Sequence, residues 1–292
     1  MSEPASAAGG NTELRDFLRS RRARITPERA GLPPEGGARR VPGLRREEVA
    51  RLAGVSVDYY VRLERGRNLN VSESVLDALA RALQLNDVER SHLFAVARPR
   101  RGQRRPLVPQ RVRPGMRQVL TALTGVPALV LGRRLDVLDS NHLARALYTD
   151  FEALPHRDRN MARFVFLDEA ARGLYVDWAD AARGIVAHLH LYAGSHPHDP
   201  QLAELIGDLS LRDQDFRRWW ADHDVFRREH GTKRYHHPVV GELTLAYEAL
   251  TPTDDPDQTL GLHTAEPGSP SEQALRLLAS WTSEPARSTL DG

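Results

Sequence analysis

The sequence has no cysteine and almost no lysine. Without cysteine, the chain cannot form disulfides, thiolate zinc sites or cysteine nucleophiles, and a reducing compartment suits it. Lys233 is the one lysine among the 41 basic residues, so arginine supplies nearly all of the positive charge. Arginine is the better ligand for phosphate and guanine, because its planar fork can donate two parallel hydrogen bonds.

Long apolar segments are also missing. No apolar run approaches the roughly 18 residues needed to cross a membrane. The opening segment, MSEPASAAGGNTE, lacks the basic and apolar stretches of a signal peptide. We therefore expect a cytoplasmic protein with no membrane partner, and we expect residues 1–11 to form a disordered tail.

The short motifs of common catalytic sites are absent as well. The chain contains no GxSxG, GxxxxGK[ST] or GxGxxG segment. We therefore predict no catalytic residue, no enzymatic activity and no cofactor.

Histidines are concentrated in the segment HLHLYAGSHPH, residues 188–198. Histidine is a common metal ligand, but residues two apart on a helix point about 200° away from each other. His188 and His190 are therefore not expected to converge, and we predict no metal site. For His223 and His230, a solvated position is an equal alternative.

Charge is divided unevenly along the chain, although it sums to only +2. Residues 1–113 contain 23 basic and 13 acidic residues, whereas the remainder contains 18 and 26. This division predicts that the basic half binds a polyanion and that the acidic half has another task. At 292 residues, the chain is long enough for two domains.

Helical periodicity predicts five helices between residues 12 and 97. The second, over 44–53, is expected to bury Val49, Leu52 and Ala53 and to end at Gly54. Ser56 is a good N-cap for the third helix. The other predicted helices span 13–25, about 57–65, 72–85 and 86–97.

The glycine-centred turn between the second and third helices is typical of a helix-turn-helix that reads double-stranded DNA. In that geometry the third helix enters the major groove, so Val57, Asp58 and Arg62 are predicted to contact bases. Contacts with the DNA backbone are predicted for Arg46, Arg51, Ser56, Tyr59, Arg65 and Arg67. Because one such helix covers only a half-site, we expect a homodimer on a two-fold operator. The alternative is an ordinary helical bundle with a solvated basic face.

A proline- and arginine-rich linker, residues 98–114, precedes a region of different pattern. Two strands are predicted within 127–140, then helices to about residue 225, then three strands within 231–266. Ser269 and Glu272 form a predicted capping box at the start of a closing helix. An all-α helix-turn-helix bundle over 12–97 is thus followed by an α+β domain with an antiparallel sheet over 115–283, and by a tail over 284–292.

Side chains of the second domain are candidates for a small-molecule pocket. Such pockets are mostly apolar, with a few polar groups that orient the ligand. The candidates are Asn141, Phe164, Phe166, Phe216, Trp219, Trp220, Tyr235, His236 and Tyr247. For each of them the alternative is an ordinary place in the domain core.

The segment V-S-x-x-Y-x-x-x-L-E-x-G, residues 55–66, resembles the Xre/Cro-like repressors over about 12–97. Within that family, residues 39–50 resemble more specifically one branch, the MmyB-like regulators. The MmyB-like resemblance continues over about 107–281, in runs such as DLSLRDQDFRRWWADHDV and GTKRYHHPVVGELTL. The resemblance implies an extended loop between the first two helices, a structural role for Glu64 and a PAS-like domain that binds a small ligand. Where that family commonly has Ala-Trp-Asn after the second strand, this chain has Asp139-Ser140-Asn141, so no ligand class is carried over.

These patterns predict a sequence-specific DNA-binding transcription regulator whose second domain senses a small ligand, with a lipophilic molecule as one option. Three alternatives stay open for the second domain. It could dimerise or dock a partner without any ligand, hold a redox or light-sensing cofactor, or act as an enzyme tethered to DNA.

Overall fold

The computed structural model describes residues 11–33, 39, 41–67, 70–98 and 109–283. They form two compact units. Unit 1 contains the described residues up to 98 together with 190–199 and 220–226, and unit 2 contains 109–189, 200–219 and 227–283. This grouping differs from the contiguous domain limits expected from the sequence. The predicted tails, apart from residue 11, and most of the predicted linker lie outside the described residues.

Five helices form the first part of unit 1, as predicted. They are α1 (Thr12–Arg24), α2 (Arg46–Leu52), α3 (Val57–Glu64), α4 (Glu73–Ala82) and α5 (Asp87–Ala97). Ser56 caps α3, since its side chain accepts a hydrogen bond from the N–H of Tyr59. Gly54 has φ of +66°, a conformation that glycine adopts readily and that lets the chain turn between α2 and α3.

One prediction about the packing of α2 is wrong. Val49, Ala50 and Ala53 are buried, but Leu52 is 37% exposed. Successive helical residues are rotated by about 100°, so the first three share an arc that reaches from Val49 towards Ala50. Leu52 lies on the other side of Val49 and falls outside that arc. The small Ala50 instead packs inward, with α2 against α3.

The remaining elements follow from residue 114 onwards. The helices are α6 (Pro114–Ala122), α7 (His142–Leu147), α8 (Met161–Leu167), α9 (Glu169–Leu174), α10 (Trp178–Ser195), α11 (Pro200–Arg212), α12 (Gln214–Ala221) and α13 (Pro270–Ser283). The strands are β1 (Ala128–Leu131), β2 (Val137–Ser140), β3 (His230–His237), β4 (Gly241–Leu250) and β5 (Thr259–Thr264). Single 3₁₀ turns at Phe151–Ala153 and His156–Asp158 precede α8. Two strands, a helical stretch, three strands and a final helix agree with the predicted order.

The five strands of unit 2 form one sheet in the order β2-β1-β5-β4-β3, with every neighbouring pair antiparallel. This confirms the α+β prediction. Tyr235 lies opposite Leu243, and Tyr247 lies opposite His263. Directly opposite residues of an antiparallel pair share a face, so the register gathers these side chains on one side of the sheet, called here the inner face.

Helix α13 closes unit 2 by packing on α7 and β4. The hydroxyl of Ser269 accepts a hydrogen bond from the N–H of Glu272, as the predicted capping box requires. The Glu272 carboxylate, however, accepts from the N–H of Gly268, one residue earlier than the box pattern. Among the helices of the described segments, none is long and apolar enough to cross a membrane.

Candidate functional site

The outer side of α3 is open to solvent. Val57, Asp58 and Arg62, the predicted base contacts, are all exposed. Tyr60 and Leu63 on the opposite side of the helix are fully buried. The helix therefore has one face fixed in the core and one face free for a partner.

Four predicted DNA contacts are exposed arginines with no ion pair within the described part of the chain. They are Arg51, Arg62, Arg65 and Arg67. Elsewhere in unit 1, arginines such as Arg90 are neutralised by carboxylates. Exposed guanidinium groups without a protein counter-ion are available for phosphate or for guanine edges.

Two of the other predicted backbone contacts, Arg46 and Ser56, form hydrogen bonds through their side chains within the protein. Arg46 donates a short hydrogen bond to the Glu64 carboxylate while about half of its side chain remains exposed. The Ser56 hydroxyl accepts from the N–H of Tyr59 at 3.2 Å, which leaves its own hydrogen free to donate. Tyr59 is partly exposed. All nine predicted DNA residues thus belong to α2, α3 or their immediate flanks.

Glu64 is the polar centre beneath this surface. Its side chain is 2% exposed and accepts hydrogen bonds from Arg22, at 2.6 Å, and from Arg46. Burial, together with the nearby Glu64 charge, raises the pKa of Tyr60, so that phenol stays neutral and its hydroxyl faces the carboxylate at 3.5 Å. Gly66 has φ of +68° and approaches the backbone of Asn11 so closely that a Cβ would lie 2.4 Å from its carbonyl oxygen. The Leu-Glu-x-Gly motif therefore stabilises unit 1.

The inner face of the sheet in unit 2 carries a tyrosine cluster, made of Tyr148, Tyr175, Tyr235 and His263. The Tyr148 hydroxyl lies 2.7 Å from Nε2 of His263 and 3.0 Å from the Tyr235 hydroxyl. The rings of Tyr175 and Tyr235 are 5.2 Å apart. Burial lowers the pKa of His263 well below its ordinary value, so this histidine is neutral. The cluster is largely buried and combines aromatic rings with a few polar atoms.

Lys233 lies beside this cluster, and the sequence analysis did not single it out as a site residue. Its ammonium group is 4.5 Å from the centre of the Tyr247 ring. Burial, reinforced by the Arg228 charge, lowers the pKa of Lys233 to about 8. Within the described residues it has no ion pair. Its rarity in an arginine-dominated sequence was the one available signal.

A family model described as the MmyB-like transcription regulator ligand binding domain matches residues 112–278, more than half of the chain. The chain belongs to this family. A helix-turn-helix domain model matches residues 13–93. None of the curated proteins matches the chain. The two families make this MmyB-like protein a DNA-binding, ligand-responsive transcription regulator. Helices α2 and α3 lie in the range of the helix-turn-helix model, and the strands of the sheet lie in the range of the ligand-binding domain.

A second aromatic group of the MmyB-like domain, the tryptophan cluster, consists of Phe166, Trp178, Phe216 and Trp219. The ring centres of Phe166 and Phe216 are 5.1 Å apart, and those of Trp178 and Trp219 are 5.7 Å apart. The Arg172 guanidinium lies 3.9 Å from the centre of the Trp178 ring, a cation–π contact. Phe164 instead packs edge-on against Tyr148 of the tyrosine cluster. The predicted pocket residues are therefore shared between two groups.

Asn141 has all of its hydrogen-bonding capacity used by the protein. Its side-chain oxygen accepts from the N–H of Ala144 and of Ala128. Its amide nitrogen donates to the carbonyls of Leu123 and Val126. The side chain thus joins the start of α7 to β1 and to the segment before it.

Two further candidates lie apart from both clusters. His236 is exposed on the opposite face of β3 from Tyr235, because successive strand residues point to opposite sides. Trp220 belongs to unit 1, where it stacks on His190 with 3.7 Å between ring centres.

The outer face of the MmyB-like sheet bears a depression with a volume of about 680 Å³. Its lining includes Thr232, Thr244, Ala246 and Thr264 from β3, β4 and β5. No residue predicted for the ligand pocket lines it. Threonine and serine hydroxyls alternate there with alanine and proline side chains, so the lining is mixed, unlike the aromatic inner face.

One group within the described residues has the arrangement of a metal site, and it lies in unit 1. The ligand atoms of Glu13, His190 and His223 all lie within 4.8 Å of one another. Of the two histidines for which solvation was an alternative, His223 is buried and His230 is exposed. Residues from three distant parts of the sequence thus meet where the sequence analysis expected no metal ligands.

Proposed function

We propose that this MmyB-like regulator binds a two-fold DNA operator through α3 and changes its affinity for that operator when a small amphipathic anion binds at the inner face of the sheet. The DNA part rests on the exposed outer side of α3 and on the four unpaired arginines around it. Since the operator is chromosomal DNA, the proposal includes a cytoplasmic location.

Base reading is assigned to Val57, Asp58 and Arg62. An arginine can donate two hydrogen bonds to guanine, an aspartate can accept from cytosine, and a valine can contact the thymine methyl group. Arg51, Arg65 and Arg67 would hold phosphates and fix the register, together with Arg46, Ser56 and Tyr59. Two copies on adjacent half-sites would multiply the specificity of a single helix, which is why a homodimer is proposed.

The observation that carries the ligand proposal is Lys233. A cation that is partly buried without a counter-ion is unfavourable, and an acidic group of a ligand would neutralise it. The adjoining aromatic rings of Tyr247 and of the tyrosine cluster would contact the apolar part of such a ligand. A small lipophilic acid therefore fits the chemistry better than a neutral polar metabolite.

The ligand regulates DNA binding only if it binds the DNA-competent and incompetent arrangements with different affinity. Full-length protein should be purified and denatured, and the extract examined by mass spectrometry beside a blank. We expect a stoichiometric lipophilic acid from the wild type and much less from Lys233→Met. Arg276→Met, which removes an exposed cation from α13, is the matched control and should retain the molecule. Adding the recovered compound to an operator-binding titration should then shift the affinity.

A second function, a dimerisation or docking module without ligand, is favoured by a different observation. Leu277 and Trp281, one turn apart on α13, are 64% and 58% exposed. Paired apolar side chains on a helix surface are typical of protein interfaces. If the extract contains no bound molecule and Leu277→Asp dissociates a dimer of the wild type, the second domain is a dimerisation module and the ligand proposal is excluded.

A further inference from the structure

Four ionisable side chains from distant parts of the sequence meet in the interior of unit 1. They are Glu13 from α1, His92 from α5, His190 from α10 and His223, which follows α12. The three histidines are buried. Neither of the two activities described above uses any of them.

The distances from the Glu13 carboxylate to the three histidines are close to those between ligands of one ion, and three of the four side chains have ligand atoms that all lie within 4.8 Å of one another. Oε1 of Glu13 lies 3.3 Å from Nδ1 of His190, 3.7 Å from Nδ1 of His223 and 3.7 Å from Nε2 of His92. Ligand atoms about 2.0–2.2 Å from a tetrahedral zinc ion are about 3.3–3.6 Å from one another. Small side-chain movements would therefore close the site around a metal.

The hydrogen bond of His190 decides which of its nitrogens is free. Its Nε2 lies 3.0 Å from the carbonyl oxygen of Trp220, which can only accept, so the proton is on Nε2. In the neutral ring, the lone pair of Nδ1 then points at the carboxylate of Glu13. Two acceptors that face each other at 3.3 Å repel one another unless a cation lies between them.

Other ligand atoms of the group also lack ordinary partners. Nδ1 of His223 and both ring nitrogens of His92 have no hydrogen bond among the described residues. The carboxylate of Glu13 faces all three imidazoles. Buried polar atoms without partners are rare in folded proteins and call for an explanation.

We propose that Glu13, His190 and His223 bind a divalent transition-metal ion, with His92 or a water molecule as the fourth ligand. A set of imidazoles with one carboxylate and no thiolate suits Zn²⁺, Co²⁺ or Ni²⁺ better than Mg²⁺ or Ca²⁺, which prefer oxygen ligands alone. One negative and three neutral ligands leave the site with a charge of +1.

Neighbouring residues orient and position the proposed ligands, as the residues around metal ligands do in known metal sites. The Trp220 carbonyl orients His190, and the Trp220 ring stacks on the same imidazole. Gly194 makes room for His92, since a Cβ there would lie 2.7 Å from Cε1 of its ring. Arg21 donates to the His223 carbonyl at 2.7 Å, which fixes the backbone at that ligand.

Such an ion would join residues of both matched families. Glu13 falls within the helix-turn-helix range, whereas His190 and His223 fall within the range of the MmyB-like domain. The metal would cross-link α1 to two segments more than 170 residues away in the sequence. A cross-link between such distant residues should stabilise unit 1.

The test is a titration of the full-length protein with Co²⁺ after treatment with EDTA. We expect one equivalent to bind, with visible absorption typical of a four- or five-coordinate imidazole site, and Zn²⁺ to displace it. His190→Ala and His223→Asn should abolish stoichiometric binding, and asparagine suits position 223 because it tolerates the left-handed φ of +50° there. His198→Ala removes an exposed histidine of the same segment and should bind like the wild type.

Glu13→Gln guards against variants that simply fail to fold, because it keeps the side-chain volume and removes only the charge. We expect it to weaken Co²⁺ binding at least about tenfold, while the circular dichroism spectrum stays that of the wild type. Zn²⁺ should raise the Tm of the wild type and of His198→Ala, but not that of His190→Ala. No binding by the wild type, or equal uptake by the wild type, His190→Ala and His223→Asn, would overturn the proposal.

Discussion

Nε of Arg22 lies 2.6 Å from Oε1 of Glu64, whose side chain is almost fully buried. The second oxygen of the same carboxylate accepts from Arg46. A charge this deeply buried is tolerated because two guanidinium groups neutralise it and fill its hydrogen-bonding capacity. The Glu64 side chain therefore joins α1, α2 and α3, and the recognition helix is fixed from its buried side.

We expect Glu64→Ala to lower the free energy of unfolding by about 3 kcal/mol, since it leaves two arginines without their carboxylate. Urea denaturation followed by circular dichroism measures this loss. Asp77→Ala is the control, because Asp77 forms an exposed ion pair with Arg90 at 2.6 Å, and its loss should cost less than about 1 kcal/mol. If both variants lose the same free energy of unfolding, the burial of Glu64 does not make its ion pairs more stabilising than an exposed pair.

Two glycines with the same backbone conformation should respond differently to alanine. Gly54 and Gly66 have φ of +66° and +68°, but a Cβ at Gly54 would meet nothing within 4 Å, whereas one at Gly66 would strike the Asn11 carbonyl. Gly54→Ala should cost about 1 kcal/mol through backbone strain. Gly66→Ala should cost about 1–3 kcal/mol more, because rigid backbone must move. Similar urea midpoints for the two variants would disprove the close approach.

The sequence was sufficient where the signal is local. Ser56 caps a helix through its own hydroxyl, and Gly54 allows a turn because it has no Cβ, so both could be recognised without a structure. Alternation of apolar residues likewise predicted the strands. Leu52 was misplaced because α2 has only seven residues, and such a short helix fits two apolar arcs almost equally well.

Sites assembled from distant residues could not be predicted in this way. Trp219 and Trp220 are neighbours in sequence but point about 100° apart on α12, so one joins Phe166 in unit 2 and the other stacks on His190 in unit 1. His188 and His190 indeed do not converge, as their spacing predicted, since only His190 is buried. The carboxylate beside His190 belongs to Glu13, which is 177 positions away in the sequence, and no local pattern reveals such a neighbour.

Arg62→Ala tests the assignment of base contacts. A good bidentate contact with guanine contributes about 1–3 kcal/mol of discrimination, so binding to operators selected from random duplexes should weaken by that amount. Binding to unrelated duplexes at the same salt concentration should hardly change. Arg90→Ala, which removes an arginine already paired with Asp77, should leave both affinities unaltered. If specific and nonspecific binding fall together, Arg62 contacts a phosphate instead.

Arg65→Ala tests the assignment of backbone contacts. Removing a phosphate ligand should weaken binding to all sequences alike and should reduce the slope of log K against log salt by about one phosphate. Titrations of operator and nonspecific duplexes at several salt concentrations give both quantities. A loss confined to the operator would show that Arg65 reads a base.

Lys233→Met should stabilise the protein near neutral pH and should do so in a pH-dependent way. Burial and the charge of Arg228 lower the pKa of Lys233 to about 8 in the folded protein, against 10.5 for an ordinary lysine. The unfolded chain therefore holds this proton more tightly, so stability is lost as pH falls from about 10.5 through 8.

Methionine keeps the length of the side chain and removes this penalty. At pH 7 the ligand-free variant should exceed the wild type by on the order of 2 kcal/mol in free energy of unfolding, and the difference should shrink as pH approaches 10.5. Urea titrations of both proteins, after removal of any co-purified acid, measure this difference across pH 7–10. A difference that does not change with pH would mean that Lys233 titrates normally, and its need for an acidic ligand would then disappear.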